Sequence, residues 1–256
     1  MKCCDTVRVM GLLMAAIAVG CAEPDGEIAQ RAQANAKAGG VDLVKLADER
    51  LAAARVRFQA AMTVDESAWR LGSACFDRAE FCGKDNTLRA KLAREGIEAC
   101  RKLVAAQPAV AAGYYYLGMN MGQLARVKQL SALGMVKDMV AAFDKARALD
   151  ATFSNAGPDR NLGLLYYKAP GWPLSIGNKK KASHHLLRAV ELAPDFPPNR
   201  LSLLEALEDW DDDKAAAEQR RALKQLWPKA RKKFAGPDWA LDWADWNARW
   251  QKLRAP

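Results

Sequence analysis

The chain has 256 residues, half of them hydrophobic, and a formal net charge of +9 from 39 Lys and Arg against 30 Asp and Glu. This excludes a disordered chain or a disulfide-stapled miniature and leaves room for one elongated domain or two small ones. Ala, Leu, Lys and Arg recur throughout and period-two runs of Val, Ile and Thr are scarce, which argues for helix and against a β-sheet protein.

At the N-terminus, Lys2 and Arg8 precede an uncharged, mostly apolar run from Val9 to Val19, and Ala18-Val19-Gly20-Cys21 closes it with small residues. Residues 1–20 thus read as a secretory signal peptide whose apolar run is too short to span a bilayer stably. The segment resembles the lipobox of bacterial lipoproteins, with Ala18 where a leucine is more usual. That resemblance implies a lipidated Cys21 at the start of the mature chain. Ala22 in place of an aspartate implies an outer-membrane destination facing the periplasm. Residues 21–40, with Glu23-Pro24-Asp25-Gly26-Glu27, suit a polar tether leaving a membrane surface. For an exported chain the basic balance reads as solvated helix faces or attraction to anionic lipid, and nucleic acid is not expected as a partner.

Six cysteines do not make a disulfide framework here. Cys3 and Cys4 leave with the signal and Cys21 carries lipid, so Cys75, Cys82 and Cys100 remain. Cys82 and Cys100 could meet across a helical hairpin, or all three thiols could fill helix-packing positions.

After Gly39-Gly40 the chain reads as successive helices broken by short Gly, Pro, Asn and Asp clusters, and the segments align on one another. Leu162-Gly163-x2-Tyr166 followed by Ala182-x3-Leu186-x2-Ala189-x4-Pro194 carries the two-helix pattern of a tetratricopeptide repeat (TPR). A second copy starts at Tyr114-x2-Leu117-Gly118-x2-Met121 and ends at Phe143-x2-Ala146. Weaker copies run from Trp69 to Pro108 and from Leu203 to Pro228. The expected fold is therefore an all-α, TPR-like α-solenoid of about four helical hairpins over residues 41–228, with a C-terminal capping helix in 229–256. Small residues such as Gly118 and Gly163 allow close helix approach, and Phe143 and Tyr166 fill the gaps. Two copies are stretched. Gln123 to Lys137 has no proline and lengthens the helices, whereas Ala169-Pro170-Gly171-Trp172-Pro173-Leu174-Ser175-Ile176-Gly177 breaks helix and forms an ordered loop at a hairpin tip.

The block Gly157-Pro158-x-Arg160-x-Leu162-Gly163-x2-Tyr166, with Ala169-Pro170-Gly171-Trp172-Pro173-x-Ser175-x-Gly177, resembles the T-component family of TRAP transporters, the tripartite ATP-independent periplasmic transporters. Similarity runs over about residues 40 to 228. The family implies a periplasm-facing helical-repeat lipoprotein that associates with a transporter's solute-binding protein and offers its small-molecule ligand a hydrophobic passage.

In a TPR solenoid the first helices line the concave groove. Taking Leu117 and Leu162 as equivalent core positions turns Tyr115, Tyr116, Met119 and Gln123 toward it, together with Arg160, Asn161, Leu164 and Tyr167. This mixture suits an amphipathic organic acid or a peptide-like partner; equally, the tyrosines could simply pack between tightly wound helices. Trp172 either anchors an interface or folds back to pin its loop. Trp239, Trp243, Trp246, Trp250 and Leu253 fall within an arc of about 80° at 100° per residue. Such a face could close the solenoid end, lie in a membrane interface or dock a partner. His184-His185 are helix neighbours without a third ligand at metal spacing. No HExxH, GxSxG, Walker or GxGxxG pattern occurs, so neither an enzyme nor a cofactor is expected. Two functions compete: a transporter-associated lipoprotein, and a structural scaffold for envelope complexes without a small-molecule role. Oligomers are compatible with both.

Overall fold

The computed structural model describes residues 42–127 and 132–254, and these are all-helical. Ten α-helices follow one another: α1 (Leu43–Ala60), α2 (Ser67–Glu80), α3 (Asn86–Ala106), α4 (Ala111–Val127), α5 (Ala132–Leu149), α6 (Phe153–Lys168), α7 (Lys179–Leu192), α8 (Pro197–Asp209), α9 (Asp213–Lys233) and α10 (Ala240–Leu253). Their starts are legible as caps. Asp42, Asp85, Asn178 and Asp212 each accept from the amide three residues on, at 3.0, 2.8, 2.9 and 3.2 Å, which satisfies one of the donors a helix leaves open at its first turn.

Helices consecutive in sequence pack as antiparallel pairs, and α2, α4, α6 and α8 also touch one another in turn as an inner layer. This is an all-α array of helical hairpins. Close approach rests on the glycines the repeat pattern singles out. A Cβ on Gly163 would stand 2.7 Å from Leu186 Cγ, and one on Gly118 2.8 Å from Phe143 Cε1. The stretched copy that contains Gln123 is helical to Val127 and again from Ala132. Pro228 does not end its repeat: α9 continues through it to Lys233. The residue lies on the exposed side of the helix, where one missing N–H is tolerated.

Cys75, Cys82 and Cys100 are buried free thiols. Burial pushes the pKa of each above the ordinary thiol value, so all three act as small apolar side chains. The expected signal peptide, Cys21 and the expected tether lie outside the described residues. Among the described residues, no helix is long and apolar enough to cross a membrane.

The C-terminal helix is not confined to one end of the array. Its tryptophan face packs on the last hairpin: Trp243 meets Trp227 edge-on, Trp250 stacks on Trp227, and Trp239 and Trp246 both meet Phe196 and Phe234. Its other side reaches the first helix, where Leu241 and Ala244 bury against Leu43 and Ala47. The array therefore closes on itself.

Candidate functional site

Most of the residues expected along the concave groove are interior. Tyr115, Tyr116, Met119, Gln123, Arg160, Asn161 and Leu164 are all essentially inaccessible. Tyr115 and Tyr116 meet edge-on, and both also pack edge-on against Phe153. Trp69 of α2 stacks on Tyr116 at 5.6 Å. Asn161 donates to the Tyr115 hydroxyl at 3.1 Å and reaches Met119 Sδ at 3.3 Å. Gln123 donates to Glu80, which also pairs with Arg126 at 3.2 Å. The inner helices approach so closely that side chains aimed at the concave side fill one another's space instead of lining an open channel.

Arg160 has a local task as well. Just before it, Ser154, Asn155 and Ala156 hold three successive left-handed φ values of 59°, 52° and 60°, a conformation that costs L residues about 1–2 kcal/mol each. The Arg160 guanidinium donates to the Asn155 carbonyl (3.0 Å), to the Ser154 carbonyl (3.4 Å) and to Asn199 Oδ1 (2.7 Å). Asn199 in turn donates to the carbonyls of Asn155, Ala189 and Ala193. The two side chains thus clamp the left-handed turn to α7 and α8. Burial depresses the Arg160 pKa, while Tyr115 and the nearby Asp242 of α10 favour the charged form.

Tyr167 is half-buried at the other end of α6 and donates to the Glu205 carbonyl at 3.1 Å and to Asp209. Lys168 reaches the same Asp209 carboxylate at 3.1 Å. Burial, then the Asp209 hydrogen bond, push the Tyr167 pKa up, so it stays a neutral donor tying α6 to α8.

Trp172 is different. It sits at the tip between α6 and α7 and is 89% exposed, next to Leu174 at 70%. The loop beneath is braced: Gly177 donates to the Pro170 carbonyl at 2.8 Å, Asn178 to the Tyr166 carbonyl at 2.9 Å, and Leu174 and Ser175 both to the Gly171 carbonyl. Trp172 does not fold back onto the loop. Lys179, Lys180 and Lys181 flank the tip as exposed cations, and Lys179 lies over the Trp210 ring at 5.2 Å.

The sequence reading misses a charged cluster on α10. Arg249 makes two 2.8 Å hydrogen bonds to the Glu205 carboxylate, a 3.0 Å bond to Ser202 Oγ and a 3.6 Å ion pair with Asp245. Burial lowers the Arg249 pKa, but Glu205 and Asp245 raise it further. Burial pushes Asp245 up to about 6, helped by Glu205 and Glu80 and opposed by Arg249. His185 is also committed, with Nδ1 at 2.7 Å from buried Asp159 and its ring stacked on Tyr166. A shallow cleft of about 380 Å³ lies between α3, α4 and α5, floored by Ile97, Met121, Leu124 and Met135 and rimmed by Arg94 and Arg101.

No family model matches the chain, and no curated protein matches it.

Proposed function

We propose that the chain is a membrane-tethered, TPR-like adaptor of the bacterial envelope that docks a protein partner through the α6–α7 tip. The partner we propose is the solute-binding protein of a TRAP-type transporter, in keeping with the T-component resemblance of the Gly157–Gly177 block. The observation that carries the docking surface is Trp172. A tryptophan left in water on a loop with little freedom loses little entropy when a partner covers it, and an aromatic anchor of that kind dominates many interfaces. Leu174 extends the apolar contact, and the three lysines supply a charged rim for an acidic partner face.

The second reading, a structural scaffold with no small-molecule role, draws support from the interior. Tyr115, Tyr116, Met119, Arg160 and Asn161 pack on one another and hydrogen-bond to each other and the backbone except at Arg160 Nε and Asn161 Oδ1, and an organic-acid ligand would have to displace those contacts. Co-purification of the lipidated chain with a TRAP solute-binding protein of the same organism tests the first reading. Recovery of the complex supports it, and its absence across all such receptors leaves the scaffold. Lipid labelling of Cys21 tests the tether separately, and labelling that persists in Cys21→Ser removes it.

A further inference from the structure

The cleft between α3, α4 and α5 has a chemistry of its own. α3 and α5 both pack along α4 but scarcely meet each other, so α4 shows between them as a floor. On α3, Ile97, Glu98 and Arg101 follow Arg94 at three, four and seven residues, and the four therefore share one helix face. Met121 and Leu124 of α4 and Met135 of α5 complete the apolar base. Ile97, Met121 and Leu124 are buried and Met135 is half-buried. The two methionines give that base a deformable surface that moulds to a flexible chain. A volume of about 380 Å³ lies toward the lower end for small-molecule sites and suits one short chain better than a partner helix.

The rim is charged, and its charges do not balance. Glu98 pairs with Lys102 at 2.9 Å, and the neighbouring Glu95 is held by Arg55 through two 2.7 Å hydrogen bonds. Both α3 carboxylates are thus engaged with other cations. Arg94 and Arg101 are left exposed, with no ion-pair partner among the described residues. On the opposite wall Asp138 is the one lining acid without a cation, so two arginines against one aspartate leave the mouth positive. Seven residues apart on α3, the arginines stand about 10 Å from each other along the axis, one turn to either side of Ile97. Two such long side chains can close on an anion held between them, directly over the apolar base.

We propose that this cleft binds an alkyl carboxylate. The unbranched chain lies on Ile97, Met121, Leu124 and Met135, and Arg94 and Arg101 take the carboxylate at the mouth, where their planar forks match its two oxygens. The site shares no helix with the α6–α7 tip, so it stands or falls apart from the docking reading.

Octanoate is the probe. It is titrated into the full chain in lipid nanodiscs, carrying carbon-13 methyl methionine, with free probe concentrations fixed by dialysis. The Met121 and Met135 methyl signals should shift saturably, while that of Met119, sealed in the interior, stays in place. Octylammonium has the chain with the opposite charge and acetate has the charge without the chain, and each should bind at least tenfold more weakly. Arg94→Gln with Arg101→Gln should weaken octanoate by at least the same factor. Asp138→Asn removes the remaining acid and should leave octanoate bound as tightly or more so. No saturable shift with octanoate, equal binding of octylammonium, an unweakened double variant, or a loss of binding in Asp138→Asn overturns the site. The comparison of the three probes uses the wild type, so it decides even where a variant fails to fold.

Discussion

Arg249 of α10 grips Glu205 of α8 through two parallel hydrogen bonds, both 2.8 Å. This fork geometry requires the C-terminal helix to lie across the last inner helix in one register, because a shift of one residue along α10 would turn the guanidinium away. Breaking a buried pair costs more than the pair itself contributes, since one charge is left behind.

Arg249→Ala should therefore lower stability by about 3 kcal/mol, measured by urea denaturation. Arg249→Lys should recover only part of that loss, because an ammonium cannot make both bonds. Full recovery with lysine would reduce the contact to a simple charge attraction.

The pH dependence has a definite sign. Asp245 is an acid whose folded-state pKa is raised to about 6, so it binds its proton more tightly when folded. The stability it contributes is fully present below its ordinary carboxylate value near 4 and is lost as pH rises through about 6. Asp245→Asn should flatten the stability profile between pH 4 and 7 and add of order 1 kcal/mol at pH 7, discounted for partial solvent access. Chemical denaturation at four pH values checks this, and an unchanged slope would contradict it.

Much of this architecture was legible in the sequence because it is written in spacing. Gly118 and Gly163 each mark a close helix approach, against Phe143 and Leu186, though Gly72 and Gly96 mark closer ones, 2.5 Å from Cys100 Sγ and from Asn120. The tip loop could be read from its prolines and glycines. The polar side of α10 could not. Asp242, Asp245 and Arg249 have the composition of a solvated helix face, and Glu205, which Arg249 grips, is remote in sequence. The left-handed turn was hidden as well: in Ser154-Asn155-Ala156 only asparagine is at ease with positive φ, and the clamp from Arg160 and Asn199 exists only once α6 and α8 are together. For the same reason Arg160 read as a groove cation when its donors belong to the backbone.

Gly163→Leu tests the repeat packing. The new Cβ alone would meet Leu186 Cγ at 2.7 Å and the Leu186 backbone nitrogen at 3.1 Å, so α6 and α7 must separate. A loss of about 1–3 kcal/mol, the usual range for overpacking, should appear as a lower thermal midpoint. An unchanged midpoint would argue against a tight α6–α7 contact.

Arg160→Ala should destabilise the whole chain instead of selectively weakening binding. Three hydrogen bonds disappear together; the Asn155 carbonyl keeps Asn199, while the Ser154 carbonyl and Asn199 Oδ1 lose the Arg160 donor, at about 1–3 kcal/mol each. Circular dichroism melts should show the loss. A variant with wild-type stability and no partner binding would return Arg160 to the role of a ligand contact.

The most direct test of the docking account is a calorimetric titration of a purified TRAP solute-binding protein from the same organism into the wild-type chain and into Trp172→Ala. Trp172 is in solvent, so the substitution should leave the melting temperature unchanged. Loss of a central aromatic anchor of about 2 kcal/mol should weaken Kd roughly thirtyfold. Equal affinities for the two proteins, or no binding of any such receptor to the wild type, would contradict the account.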